Sequence, residues 1–301
     1  MTKDAPSPLT LAAWQQLGAA LDGDPSPERL AAALRVLAKW RAQLLANTIL
    51  KRDGGRIAHG PFRGMSYAVP ATEGGFVPRR LGVYEAGLAP VIEEIITAAY
   101  PRIIDIGCAE GYYAVGLARR MPEARIEAHD TDPRARAACA RLARDNGVED
   151  RVVIAGDIGH ADIAGLGAEE TLVLCDIEGG ERALLDPVLA PVLREVDILV
   201  EAHEGIVPGI ATLLIERFSP THRIRKLGRV LMPEALPAWS ESLSDLDRLL
   251  MLWEWRAAPT PWLWMTRRAR RGYFVYKCIQ PFTPVGISAK SRANITRDST
   301  R

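Results

Sequence analysis

"RIIDIGCAEGYYAVGLARR", residues 102–120, joins an apolar run to an acid, two glycines and a helix-like segment. Read as a strand over 102–106, a turn, and a helix over 112–121, it begins a pattern that repeats down the chain. Further strands are expected at 125–129, 152–155, 172–175 and 197–201, with helices at 133–145 and 180–194 between them. Short apolar strands alternating with helices predict a Rossmann-like, mostly parallel sheet of about seven strands with helices on both faces. "HRIRKLGRVL" from 222 and "WLWMTRR" from 262 are candidates for the closing strands, and 233–255 contains helix.

Upstream, 9–22 and 27–50 read as two helices split by the breaker-rich "DGDPSP". Leu30, Leu34, Leu37 and Leu44 recur at helical spacing in the second, which gives it a face to bury. A long Gly- and Pro-rich loop follows, with His59, Phe62 and Met65 as candidate lid residues, and 84–100 reads as a helix leading into the first strand. The expected organisation is a helical extension over 1–55, an α/β domain over 56–285 and a flexible basic tail over 286–301.

Bulk properties narrow the class without naming it. The chain has 301 residues, with 38 Lys plus Arg against 37 Asp plus Glu, so no global charge draws it to nucleic acid or membrane. Cys108, Cys139, Cys175 and Cys278 form no C-x-x-C pair, which argues for reduced thiols in a cytoplasmic protein over a zinc ribbon. The first residues lack a signal-peptide pattern, and no apolar run approaches the roughly 20 residues that cross a bilayer. The sequence carries no expectation of oligomeric state.

In open parallel sheets, ligands sit beyond the carboxyl ends of strands. Asp105, Gly107 and Gly111 lie just past the first strand, where Gly107 takes backbone angles closed to other residues and admits a ligand to the main chain. Gly111 lets the next helix start close against the sheet. The spacing is D-x-G-x-x-x-G, a poor fit to the pyrophosphate-binding G-x-G-x-x-G turn. Asp130 follows Gly107 by 23 residues, near the roughly 20 expected of an acid that accepts from ribose hydroxyls. Asp132 is there to cap the helix that starts at Pro133. At the third strand end, Asp157 can accept from an adenine amino group while Ile158 covers the ring.

Together "DIGCAEG", "HDTDP" and "GDI" resemble the motifs of class I S-adenosylmethionine-dependent methyltransferases over about residues 100–205. The resemblance implies S-adenosyl-L-methionine as cofactor, with Asp105 and the 107–111 turn against its methionine part. "LVLCDIEGGERALL" and "DILVEAHE" are similar to the FkbM-type members, which methylate oxygen on small molecules or sugars. The shared residues are Asp176, Glu178, Gly179, Glu181, Glu201 and His203. The amino-terminal helices and the segment from 60 to 85 depart from that pattern, so no substrate is carried over.

Transfer to a hydroxyl needs alignment and a base. His203 is the first choice, with Glu201 or Asp176 to orient it; a histidine merely satisfied at a strand end is the alternative. Glu178 and Glu181 also suit the first turn of a helix. Ligand spacing among these acids is not diagnostic, and no metal is assigned. Tyr84 and Glu85 are placed at the cofactor's methionine end or the acceptor pocket. Five tryptophans, at 239, 253, 255, 262 and 264, fill core or wall that pocket. A small-molecule acceptor is expected, with nucleic acid disfavoured. Two alternatives stay open: a non-catalytic cofactor-binding scaffold, and an RNA or protein methyltransferase that uses Arg267, Arg268, Arg270 and Arg271 beside Tyr273, Phe274 and Tyr276.

Overall fold

A computed structural model of the chain describes residues 5–52, 54–68, 75–167 and 170–268. Seven strands form one sheet: β1 (Arg102–Ile106), β2 (Arg125–His129), β3 (Val152–Ala155), β4 (Thr171–Cys175), β5 (Asp197–Glu201), β6 (His222–Leu227) and β7 (Trp262–Arg267). Their order is β3-β2-β1-β4-β5-β7-β6. The first five are parallel, and β7 runs antiparallel to both β5 and β6. This is a Rossmann-like arrangement of the sheet. β1 lies inside the sheet between β2 and β4, where Ile103, Ile104 and Ile106 give it apolar side chains for both faces.

The pleat sends alternate residues into two cores. Ile103, Ile126, Leu172, Leu174, Leu199, Trp262 and Trp264 pack beneath α4 (Ala89–Ala98), α5 (Tyr112–Arg120) and α6 (Pro133–Asp145). Ile104, Ile106, Val173, Cys175, Ile198, Val200, Leu263 and Met265 face the other way. There they meet the short α7 (His160–Ala164) and α8 (Glu181–Leu184), and the longer α9 (Ile210–Phe218).

The amino-terminal helices are α1 (Pro8–Leu21) and α2 (Pro27–Arg52). α2 packs on α3 (Phe76–Leu81) and α10 (Asp245–Met251) through Leu45, Ala46, Ile49, Val77, Leu81, Leu250 and Met251. Both oxygens of Asp247 accept from Arg41 at 2.6 Å. The leucine stripe expected to be the buried face of α2 is not: Leu30, Leu34 and Leu37 are exposed, and Ala33, Ala42, Leu45, Ala46 and Ile49 are buried instead. Small alanines let the backbone approach closely, and periodicity alone does not choose between two apolar faces.

Two further corrections are local. The helix expected over 180–194 is only α8 and a 3-10 turn at Pro191–Arg194. Pro187 and Pro191 lack the N–H that a continuous helix needs, and they push the preceding residues toward extended backbone. Phe62 and Met65 are core residues rather than a lid, with Phe62 stacked edge-on to Tyr112. Among the described residues, no helix is long and apolar enough to cross a membrane. The tail over 286–301, Cys278, and the Arg270, Arg271, Tyr273, Phe274 and Tyr276 part of the basic patch lie outside the described residues.

Candidate active site

The turn after β1 is shaped by its neighbours. Gly107 has φ +82°, and a Cβ there would stand 1.7 Å from the carbonyl oxygen of Asp176. Glycine is therefore required at 107 by the close approach of the β4 end, before any ligand is considered. At Gly111, φ +93°, a Cβ would meet the Cys139 sulfur of α6 at 2.7 Å, so the clearance it gives is toward α6 rather than the sheet.

Asp105, at the end of β1, is 1% exposed, and neither carboxylate oxygen has a hydrogen-bond partner within ordinary geometry. Burial drives its pKa up to about 7; the Ala114 N–H offsets part of this, and the nearby charge of Asp130 adds to it. Asp130 accepts from the Ala109 N–H at 2.9 Å through one oxygen and from the Asp132 N–H at 2.8 Å through the other. It thus ties the turn to the β2 end and keeps lone pairs for a further donor. Asp132 caps α6 as expected, accepting from the Arg134 N–H at 2.8 Å. Past β3, Asp157 is exposed and Ile158 is buried against the second core. These residues occupy the carboxyl ends of three adjacent strands.

At the ends of β4 and β5 the fold gathers one imidazole and four carboxylates. His203 Nδ1 donates to Glu181 Oε1 at 2.7 Å. Its Nε2 lies 3.4 Å from Glu201, 3.5 Å from Asp176 and 3.5 Å from Glu178. The orienting hydrogen bond thus comes from Glu181, a fully buried acid that the sequence offers equally as a helix-start residue. Burial alone lowers the His203 pKa, but the Glu181 hydrogen bond and the charges of Glu201, Glu181 and Glu178 outweigh it and raise the value. In Glu181 burial pulls upward, and the His203 hydrogen bond and charge win, holding it below the usual carboxylate range. Asp176, Glu181 and His203 each present an atom within 4.8 Å of the others.

A second cluster adjoins the first. Arg256 binds Glu85, Glu201 and the Thr260 hydroxyl, and donates to Glu254 at 3.0 Å. Glu85 also accepts from the Tyr113 hydroxyl and, at 3.2 Å, from the Trp262 indole N–H. Burial, then the charge of Glu201, push Glu85 up to about 7 against the pull of Arg256. Tyr84 lies under the Arg79 guanidinium, 3.9 Å from its ring centroid. Glu110, inside the glycine turn, is buried and pairs with Arg79 at 3.3 Å while accepting from Tyr67 at 2.5 Å. Sequence reading missed Arg256, Glu254, Tyr113, Arg79 and Glu110. The one available signal was an uncompensated glutamate inside an apolar turn.

Arg267 and Arg268, the described part of the basic patch, sit at the opposite sheet edge. Trp262 pairs with Glu201 across β5–β7, whereas Arg267 pairs with His222 and binds Asp197 at the start of β5. Arg268 is tied to Thr221 and Ser219 carbonyls.

No protein-family model matches the chain, and no curated protein does. Among solved structures it is similar to an S-adenosylmethionine-dependent O-methyltransferase from Thermotoga maritima, with 16% identity over 64% of this chain and 68% of that one and a TM-score of 0.41. An O-methyltransferase from Bacillus cereus in complex with SAH gives 14% identity over 73% and 91%, with a TM-score of 0.36. TomG, an O-methyltransferase from Streptomyces achromogenes solved with SAM, gives 17% over 47% and 74%, with a TM-score of 0.36. At these values no residue's role passes from them to this chain.

Proposed function

We propose that the protein is an FkbM-like, S-adenosylmethionine-dependent methyltransferase acting on an oxygen atom of a small-molecule or sugar-like acceptor in the cytoplasm. The observation that carries the cofactor assignment is the buried carboxylate of Asp105 beneath the 107–111 turn, whose oxygens make no hydrogen bond of ordinary geometry. A buried anion with no hydrogen bond is costly, and a cationic ligand removes the cost. The residues present fit that ligand. Asp105 and the turn take its methionine part, Asp130 its ribose hydroxyls, Asp157 its adenine amino group, and Ile158 covers the ring. Tyr84 and Glu85 shape the methionine end. When bound, the cofactor supplies a methyl group on a sulfonium, with a neutral leaving group built in.

The chain's own groups supply the rest. His203 takes the acceptor's hydroxyl proton at Nε2. Glu181 fixes the tautomer by accepting the Nδ1–H, and the Asp176 and Glu201 carboxylates stabilise the imidazolium that forms. No metal ion enters this reading, in which Glu181 and Asp176 both serve His203. Within the described part of the basic patch, Arg267 is bound to Asp197 and Arg268 to the Thr221 and Ser219 carbonyls, which does not favour an RNA or protein acceptor gripped by those two arginines. Transfer of labelled methyl from the cofactor to a cell-extract fraction, falling at least a hundredfold in His203→Ala, tests the assignment. Cofactor binding with equal transfer in both proteins sinks the base; no transfer at all favours the non-catalytic binder.

A further inference from the structure

Next to Arg256, the ends of β6 and β7 enclose a cavity of about 560 Å³, a size common in small-molecule sites. Its apolar walls include Leu88, Leu227, Pro259, Pro261 and Trp262. The carboxylates that reach it are committed elsewhere. Glu85 holds Arg256 and Trp262, Glu254 accepts from the Glu85 N–H at 3.0 Å and from Arg256, and Glu204 accepts from the Gly209 and Ala211 N–H groups at 2.7 and 2.9 Å. Of the cations, Arg256 is surrounded by acids and Arg229 lies 3.6 Å from Glu254. Lys226 is exposed at the cavity and makes no ion pair among the described residues.

The cavity borders the proposed base through one shared acid. Arg256 lines the cavity and holds one oxygen of Glu201, while the other oxygen of Glu201 faces His203 Nε2 at 3.4 Å. We propose that this cavity takes the methyl acceptor, and that the acceptor is amphipathic, with an apolar ring-sized body and an anionic group directed to Lys226. The proposal rests on the methyltransferase reading and narrows it. A sugar brings hydroxyls that must each find a partner; the carboxylates and arginines at this cavity already hold protein partners, and the leucine, proline and indole parts of its wall offer none. An apolar body loses nothing there, and Lys226 supplies charge complementarity at the mouth.

The probe is 1-anilinonaphthalene-8-sulfonate, an apolar aryl anion, titrated by fluorescence against the full chain. Saturable binding is expected, weakened at least tenfold in Leu227→Asp and in Ala257→Trp, which add charge or bulk to the cavity wall. Lys226→Glu weakens it several-fold and Lys226→Arg restores it. Leu34→Ser, on the exposed face of α2, leaves it unchanged. No saturable binding, equal affinity in both wall variants, or loss in Leu34→Ser overturns the proposal. Calorimetry with S-adenosylhomocysteine on the same proteins separates the two readings. Retained nucleoside binding certifies the fold of each variant, and its absence from the wild type strikes the cofactor assignment while the cavity result stands.

Discussion

His203 works in a setting that holds its proton. With Glu181 on Nδ1 and three further carboxylates around Nε2, the imidazolium is favoured over the neutral ring. A base must shed that proton before it can take another, so the methyl-transfer rate rises with pH through the raised His203 value. Glu181→Gln removes the strongest support of the charged form. The rising limb is then expected to move to lower pH, with a lower plateau because the ring loses its orienting partner. A pH–rate profile on both proteins measures this; superimposable limbs remove Glu181 from the account. The sequence placed His203, Asp176 and Glu201 near one another and named Glu201 or Asp176 to orient the ring, whereas Glu181 is the acid at Nδ1. That choice is made by the turn over 177–180, where Ile177 N–H also binds Glu181 at 3.2 Å, a geometry set by tertiary packing.

β1 shows how much an element's end can be loaded. After Arg102 it runs through Ile103 and Ile104 to Asp105, which is buried without a hydrogen bond of ordinary geometry and holds its proton up to about pH 7. Unfolded, the same carboxyl ionises near its ordinary value of 3.8. Between those values the folded form holds a proton that the unfolded form has lost, so stability contributed at this site falls as pH rises from 4 to 7. Asp105→Asn removes that titration. The ligand-free variant is expected to gain on the order of 2–4 kcal/mol over wild type at pH 8, and little at pH 4, in thermal or urea unfolding. A stability difference independent of pH contradicts it. β4 and β5 were legible as short apolar runs buried along their whole length and bounded by turn residues. α3 was not: "FVPRRL" carries a proline and two arginines that look like loop, and it is helical because Val77 and Leu81 pack against α2 and α10.

Across the whole molecule, the carboxyl edge of the sheet divides into two working halves. β1, β2 and β3 offer Asp105, Asp130 and Asp157, while β4, β5, β6 and β7 offer the His203 cluster, Arg256 and the cavity beyond it. The buried ion cluster of Glu85, Glu201, Glu254 and Arg256 lies where the halves meet, and Tyr113 of α5 joins it to the glycine turn. Glu85 and Glu201 were singled out in the sequence, but Arg256, Glu254 and Tyr113 were not, because the cluster draws on segments up to 171 residues apart that only the closed sheet brings together. The most direct test of the account is calorimetric titration of the full chain with S-adenosylhomocysteine, alongside Asp130→Ala. One site per chain is predicted, weakened at least tenfold in the variant. An affinity that does not change when Asp130 is removed, or no heat from the wild type at any concentration, would contradict it.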